Sequence, residues 1–187
     1  GIGGGCDRGY FMVKVELASS VFSTSWGVMA SLWSPQGLWE LGFPRKTEKE
    51  AWADLRFSPT AAPESQAEDM AELAWEALAA QLQTYFQGFP VIFDVPLDWR
   101  GYTPFREKAL RYVASVPYGC VCSYGEVSRA IGVPQGARAV GGAMHANRIP
   151  IVVPCHRVVA SGGKLGGFGG GLELKEALLF LERNIDN

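Results

Sequence analysis

The segment SYGEVSRAIGVPQGARAVGGAMHAN, residues 123–147, decides the fold of the second half of this 187-residue chain. A short helix is predicted over 123–132, ended by glycine, and a second over 136–147, with Val-Pro-Gln turning the chain between them. Two helices joined by such a turn form the helix-turn-helix pattern. Many helical pairs share this pattern, so the flanking residues have to decide the function.

The second predicted helix is nearly bare of side chains, apart from Arg138. Its small residues are Ala137, Ala139, Gly141, Gly142 and Ala143. A helix that reads base edges in the major groove needs arginine, asparagine or glutamine. Small residues instead permit close approach of the backbone, either to the narrow minor groove of DNA or to another helix of the protein. The pattern is compatible with both.

Next comes PIVVPCHRVV, residues 150–159, whose aliphatic composition is typical of a buried strand. It nevertheless carries Cys155, His156 and Arg157 in a row. Cysteine is often buried as a small hydrophobe, which is the simplest interpretation. A thiol near an imidazole is also the pairing of a nucleophile with its base. Because strand neighbours point to opposite faces, these two side chains need a turn or a bridging water to cooperate.

Charge is unevenly distributed along the chain. Residues 1–99 hold 6 Lys and Arg against 13 Asp and Glu, whereas residues 100–187 hold 11 against 6. A basic second half in a chain of net charge −2 predicts contact with a polyanion.

A hydrophobic fraction of 48% predicts a packed core, and no apolar run reaches the roughly 20 residues of a membrane helix.

The four cysteines and two histidines lack the paired spacing of a zinc site, so no metal is expected. They are Cys6, Cys120, Cys122 and Cys155, with His145 and His156. The opening GIGGG does not resemble a signal peptide and is left out of the fold prediction. Reduced thiols then predict a cytoplasmic protein, or a nuclear one if the source is eukaryotic.

In the first half, segments rich in aromatic and β-branched residues predict strands at 10–17, 23–33 and 37–43. Ser-Pro-Gln-Gly at 34–37 predicts a hairpin turn. A helix is predicted over 64–86. Its apolar stripe comprises Met70, Leu73, Ala74, Ala77, Leu78 and Leu82.

A further helix is predicted over 103–116, with Thr103 as N-cap. Proline and glycine punctuate the stretch before it. We therefore predict an α/β protein with an N-terminal domain at 1–88, a connector at 89–101 and a mostly helical C-terminal domain at 102–187.

The sequence around Cys155 closely resembles the O6-alkylguanine-DNA alkyltransferases. The resemblance is carried by PCHRVV, by ARAVGGAMHANRIPIV before it and by GGKLGGFGGGLELKEALLFLE after it. The resemblance runs without gaps from Ser123 to Glu182, and more loosely from Phe93. It implies a protein that binds duplex DNA in the minor groove, flips O6-alkylguanine out of the stack and transfers the alkyl group irreversibly to its own cysteine. It also implies a single turnover, no cofactor, a monomer, and a ribonuclease-H-like N-terminal domain with a sheet and a flanking helix.

Carried over residue by residue, the resemblance implies that Cys155 is the alkyl acceptor, His156 its base through a water, Glu182 the residue that orients His156, and Asn147 a hinge. Arg138 resembles the finger that replaces the flipped nucleotide.

Ala137, Gly141 and Gly142 belong to the helix that approaches DNA in this family. The implied guanine pocket comprises Tyr124, Met144, Val158, Ser161, Phe168 and Gly169, with phenylalanine at 168 where tyrosine is common. Tyr124 also resembles the tyrosine that crowds the flanking phosphate and helps to flip the base. Because the displaced guanine leaves as an anion, a proton donor is needed beside the pocket, and Tyr124 is the candidate. The glycine-rich loop at 162–171 is expected to close over the pocket.

Three alternatives remain at this point. A non-catalytic lesion-binding relative would carry tryptophan in place of Cys155. A cysteine hydrolase built on Cys155, His156 and Asn147 would normally have its histidine far along the chain, and the other histidine here is His145. A transcription regulator would need a recognition helix with longer polar side chains.

Overall fold

The computed structural model describes residues 14–183. They form two compact units, one spanning Lys14–Asp98 and one beginning at Trp99. Cys6 and most of the strand predicted at 10–17 lie outside the described residues. Strands and helices both occur, so the predicted α/β class is confirmed. Within residues 14–183 no helix is long and apolar enough to cross a bilayer.

The first unit is built on an antiparallel sheet in the order β1-β2-β3. Its strands are β1 (Ala18–Thr24), β2 (Gly27–Ser34) and β3 (Gly37–Leu41). The predicted hairpin turn at 34–37 is confirmed. The single strand predicted over 23–33 is wrong, because a tight turn at Ser25–Trp26 divides it. Gly27 adopts a φ of 138°, and a Cβ there would collide with the backbone of Arg45, so only glycine suits this turn.

Two helices follow the sheet, α1 (Glu48–Ala53) and α2 (Gln66–Phe86). The Ser65 side chain caps α2 by accepting a hydrogen bond from the Glu68 amide. The buried residues of α2 are Ala67, Ala71, Ala74, Leu78, Leu82, Tyr85 and Phe86. Leu73 and Ala77 were predicted to be in the apolar stripe, but both are exposed, and Leu73 is 80% accessible. The buried stripe is therefore displaced around the helix from the predicted one.

Part of the predicted connector belongs to this first unit. The Leu38 amide donates to the Pro96 carbonyl at 2.8 Å, and the Asp98 amide donates to the Leu38 carbonyl at 2.9 Å. The Ser34 hydroxyl also donates to the buried Asp98 carboxylate at 2.5 Å. Residues 96–98 thus run along β3.

The second unit contains α3 (Pro104–Val113), α4 (Tyr124–Ala130), α5 (Ala137–His145) and α6 (Leu172–Arg183). Two short parallel strands, β4 (Cys122–Ser123) and β5 (Val158–Val159), pair with each other. Thr103 and Ser123 accept hydrogen bonds from the Arg106 and Glu126 amides, as N-caps do. The two predicted helices of the helix-turn-helix are therefore present as α4 and α5, joined by residues 131–136.

Replacing Leu78 by alanine should lower the free energy of unfolding by about 2–5 kcal/mol, because Leu78 is fully buried in α2. Leu73→Ala makes the same chemical change in the same helix on an exposed side chain, and should change stability by less than about 0.5 kcal/mol. Urea denaturation of both variants measures the difference. Equal losses would contradict the observed face of α2.

Candidate active site

Cys155–Arg157 forms a single 3-10 turn rather than the strand that the composition predicts. Two three-residue turns lead into it. The Val152 amide donates to the Pro150 carbonyl at 2.8 Å, with Ile151 at a φ of 72°, and the Cys155 amide donates to the Val153 carbonyl at 2.8 Å. A positive φ at a β-branched residue costs of order 1–3 kcal/mol and persists only where the surroundings enforce it. These turns give the cysteine segment the non-strand geometry that cooperation with His156 requires.

Cys155 is only 7% exposed and lines a cavity of about 870 Å³ in the second unit. Nine of the predicted site residues line this cavity: Tyr124, Ala137, Arg138, Gly141, Met144, Cys155, Ser161, Phe168 and Gly169. Gly167, which also lines it, belongs to the glycine-rich loop that was expected to close over the pocket, whereas Gly125, His145 and Ala160 were not predicted as site residues. The cavity therefore brings together residues from α4, α5, the cysteine turn and the glycine-rich loop.

His156, next to Cys155 in this turn, is fully buried and its Nε2 lies 2.6 Å from Glu182 Oε2. Glu182 also accepts hydrogen bonds from Arg157 Nε at 2.9 Å and Nη2 at 3.2 Å. The Gly119 amide adds a fourth bond, to Oε1, at 3.0 Å. One carboxylate thus joins α6 to the cysteine turn and to the turn at 117–120.

The protonation states of this pair follow from burial and neighbouring charge. Burial lowers the pKa of His156, and the cations of Arg157 and Lys175 lower it further, against the opposing effect of Glu182. Burial by itself raises the pKa of Glu182, but the hydrogen bonds from His156 and Arg157 and the Arg157 charge lower it well below its usual range. The carboxylate is therefore ionised and only accepts, so Nε2 carries the proton of a neutral imidazole and Nδ1 keeps its lone pair.

Asn147 follows α5 and is buried beside the cysteine segment. Its Nδ2 donates to the Val153 carbonyl at 2.9 Å, and its Oδ1 accepts from the Ile149 amide at 3.0 Å. These bonds tie the end of α5 to the residues just before Cys155.

Tyr124 forms a wall of the cavity under the glycine-rich loop. Gly166 has a φ of 74°, and a Cβ there would come within 2.9 Å of the Tyr124 ring and hydroxyl. The hydroxyl donates a long hydrogen bond, 3.5 Å, to the Gly167 carbonyl. Burial raises the pKa of Tyr124, with a smaller contribution from Cys155, so the phenol keeps its proton at neutral pH.

Two residues without a predicted role, Arg157 and Lys175, both brace the site. The fully buried Lys175 donates to the Val158 carbonyl at 2.7 Å and to the Gly167 carbonyl at 3.2 Å. Val158 thus contributes its backbone to this support and is not among the lining residues. The signal was present in α6, where Lys175 and Glu182 share a helix face with Leu178 and Leu179. Charged residues at i and i+7 of an apolar stripe indicate buried, paired charges.

The other described thiols do not line the cavity. Burial raises the pKa of Cys122 to about 11, with a smaller effect of Glu126, which disfavours its thiolate, whereas Cys120 is exposed. Within residues 14–183 no group of three His, Cys, Asp or Glu side chains is placed to hold a metal ion.

Comparison with known proteins identifies the family of this chain. Residues 104–184 match the family described as "6-O-methylguanine DNA methyltransferase, DNA binding domain". The methylated-DNA–protein-cysteine methyltransferase of Mycolicibacterium paratuberculosis is 49% identical over 110 residues, which cover 59% of this chain and 66% of that protein. Its counterpart in Mycobacterium tuberculosis is 48% identical over 111 residues, which cover 59% of this chain and 67% of the relative.

Solved structures extend the similarity to most of the chain. The crystal structure of Mycobacterium tuberculosis OGT in complex with DNA superposes with a TM-score of 0.69 at 34% identity, covering 88% of this chain and 92% of that one. The O6-methylguanine-DNA methyltransferase of Pyrococcus kodakaraensis gives a TM-score of 0.58 at 26% identity, covering 89% and 98%. This chain therefore belongs to the methylated-DNA–protein-cysteine methyltransferase family.

Proposed function

We propose that this protein repairs DNA by transferring the alkyl group of O6-alkylguanine to Cys155. The observation that carries the proposal is that Cys155 and Arg138, from separate segments, line the same cavity, and that His156, paired with Glu182, follows Cys155 in the same 3-10 turn. The names of the relatives support the activity, and the DNA complex of the mycobacterial protein supports DNA as the partner.

The transfer begins with activation of the thiol. A cysteine of pKa ~8.5 is only a few per cent thiolate at neutral pH, and the thiolate is the nucleophile. His156 Nδ1 accepts the proton through a bridging water, while Glu182 holds Nε2–H and orients the ring. Glu182, Arg157 and the Gly119 amide keep this orientation fixed before substrate arrives.

The Cys155 sulfur then attacks the alkyl carbon, and an S–C bond forms as the bond from carbon to guanine O6 breaks. The bonding electrons leave on the guanine, which takes the phenolic proton of Tyr124. Tyr124 is suited to this step because its hydroxyl is protonated and lines the same cavity. The thioether product is stable, so each molecule reacts once and needs no cofactor.

The guanine reaches this cavity by leaving the base stack. The exposed Arg138 fills the vacated space, while small residues of α5, Ala137, Gly141 and Gly142, permit close approach to the minor groove. Flipping costs a few kcal/mol and is cheapest for a poorly paired lesion, which favours O6-alkylguanine over guanine.

The remaining predicted residues shape the base pocket and its connection to α5. Met144, Ser161, Phe168 and Gly169 surround the guanine, and the Val158 backbone supports them through Lys175. Phe168 packs on the alkyl group with its ring but offers no hydroxyl. The bonds of Asn147 make it the hinge between α5 and the cysteine segment.

Two finer features complete the proposal. The sheet of β1 to β3, an antiparallel meander followed by the long helix α2, supports a ribonuclease-H-like N-terminal domain. A monomer acting on double-stranded DNA suffices, because every residue proposed for catalysis comes from one chain.

Intact-mass spectrometry after incubation with a duplex that holds one O6-methylguanine tests the function. We expect a gain of one methyl group that stops at one equivalent, maps to Cys155 and disappears in Cys155→Ala. Cys120→Ala removes an exposed thiol and should react normally. Tight lesion binding without any change in mass would contradict alkyl transfer and favour a lesion-binding protein.

Arg138→Ala tests the finger. The variant should repair a duplex lesion roughly tenfold or more slowly, since a loss of about 1.4 kcal/mol in the flipped state slows the reaction tenfold. Its reaction with free O6-benzylguanine, which needs no flipping, should keep the wild-type rate. Equal losses on both substrates would rule out this role.

A further inference from the structure

Two glycines near the cavity, Gly142 and Gly125, are each close to the guanidinium group of an arginine, Arg106 and Arg129 respectively. A Cβ built on Gly142 of α5 would be 3.7 Å from Arg106 Nη2 of α3. A Cβ on Gly125, in the first turn of α4, would be 3.2 Å from Arg129 Nη1. These distances place each guanidinium group against the surface of a helix.

Both guanidinium groups lie beside glycines that line the cavity or adjoin its lining. Gly125 lines the cavity, so Arg129 lies at its rim. Gly141 also lines it and faces the Tyr124 ring, 4.0 Å from where its Cβ would be. Successive residues of an α-helix are about 100° apart, so Arg106, beside Gly142, lies on the neighbouring flank of α5.

The local structure holds Arg106 in this place. It precedes Ala109, Leu110 and Val113 by three, four and seven residues, so its stem continues the buried face of α3. Its amide is bound by the Thr103 cap, and its side chain is half-buried. A long cation anchored by its stem presents its head in a defined position.

Arg129 is exposed in the last turn of α4 and reaches back over the residue four positions before it. The nearest acidic residue along the helix is Glu126, three positions before Arg129. A pairing within α4 is therefore the competing explanation for Arg129, and the experiment has to separate it from a contact with DNA.

We propose that Arg106 and Arg129 bind two backbone phosphates of the DNA duplex beside the cavity, Arg129 at the rim and Arg106 on the flank of α5. The planar guanidinium offers paired donors that match phosphate oxygens. Phosphate contacts fix register and supply affinity without reading sequence, which suits a protein that must inspect every guanine.

This inference rests on the proposed function, because it takes duplex DNA as the partner. The salt dependence of binding to an undamaged duplex tests it without requiring alkyl transfer. Each phosphate that the protein neutralises releases counterions, so removing one arginine–phosphate pair lowers the slope of log affinity against log salt by about 0.9. Fluorescence anisotropy over a salt titration measures this slope with the full chain.

Arg106→Gln and Arg129→Gln should each reduce the slope by about one unit, and the double variant by about two. Lys108→Gln is the matched control, because it removes one charge from an exposed position of α3, two residues from Arg106. We expect it to retain the wild-type slope. Glu126→Gln should leave the effect of Arg129→Gln intact if Arg129 contacts DNA.

Reaction with free O6-benzylguanine separates this inference from the function on which it rests. Both arginine variants should keep the wild-type rate there, since no phosphate is involved. If the arginine variants keep the wild-type salt slope, or if Lys108→Gln lowers the slope as much as they do, the proposed phosphate contacts are wrong. If the arginine variants react more slowly with O6-benzylguanine, the arginines stabilise the fold rather than contact DNA. If Cys155 of the wild-type protein is alkylated by neither substrate, the proposed function is wrong. The salt slopes for undamaged duplex would still report on the phosphate contacts, because they do not depend on alkyl transfer.

Discussion

The Glu182 carboxylate is the group on which the rest of the site depends. It is 1% exposed and accepts hydrogen bonds from His156, Arg157 and the Gly119 amide. A buried carboxylate without partners would cost several kcal/mol, and breaking a buried pair leaves the other charge uncompensated. The four bonds satisfy the charge and join three segments that are distant along the chain. Catalytic orientation and local stability therefore have the same source.

Helix α6 extends this support toward the substrate. Lys175, two turns before Glu182, donates to the Val158 and Gly167 carbonyls and so ties the cysteine segment to the glycine-rich loop. One face of one helix thus holds both His156, the proposed base of the thiol, and the loop that walls the cavity. The strained Ile151 turn on the other side of Cys155 is tolerated because the surrounding bonds, including those of Asn147, determine its conformation.

Local sequence signals predicted most of the elements. Thr103 indicated the start of α3 as its N-cap, and the hairpin turn at 34–37 formed as expected. Signals that depend on tertiary packing were missed. The face of α2 was misassigned because Leu73 and Leu78 both fit an apolar stripe, and only contact with the sheet selects Leu78.

The cysteine segment shows the same limit at the site. Aliphatic residues between two prolines are typical of a strand, and isoleucine is a residue type that rarely adopts the positive φ found at Ile151. The pairing of Arg157 with Glu182 spans 25 residues, so it needed the position of α6. The family resemblance supplied Glu182 and most of the residues that line the cavity, whereas Gly125, Arg157 and Lys175 emerged from the structure.

Central to the proposed chemistry is an ionised Glu182 that holds His156 as a neutral imidazole with its proton on Nε2. Nitrogen-15 NMR of the histidine ring across a pH titration tests this directly, with the exposed His145 as an internal comparison. We expect a neutral Nε2–H tautomer at pH 7 that persists below the ordinary histidine pKa of about 6.5, because burial lowers the pKa of His156. An imidazolium at pH 7, or a proton on Nδ1, would contradict it.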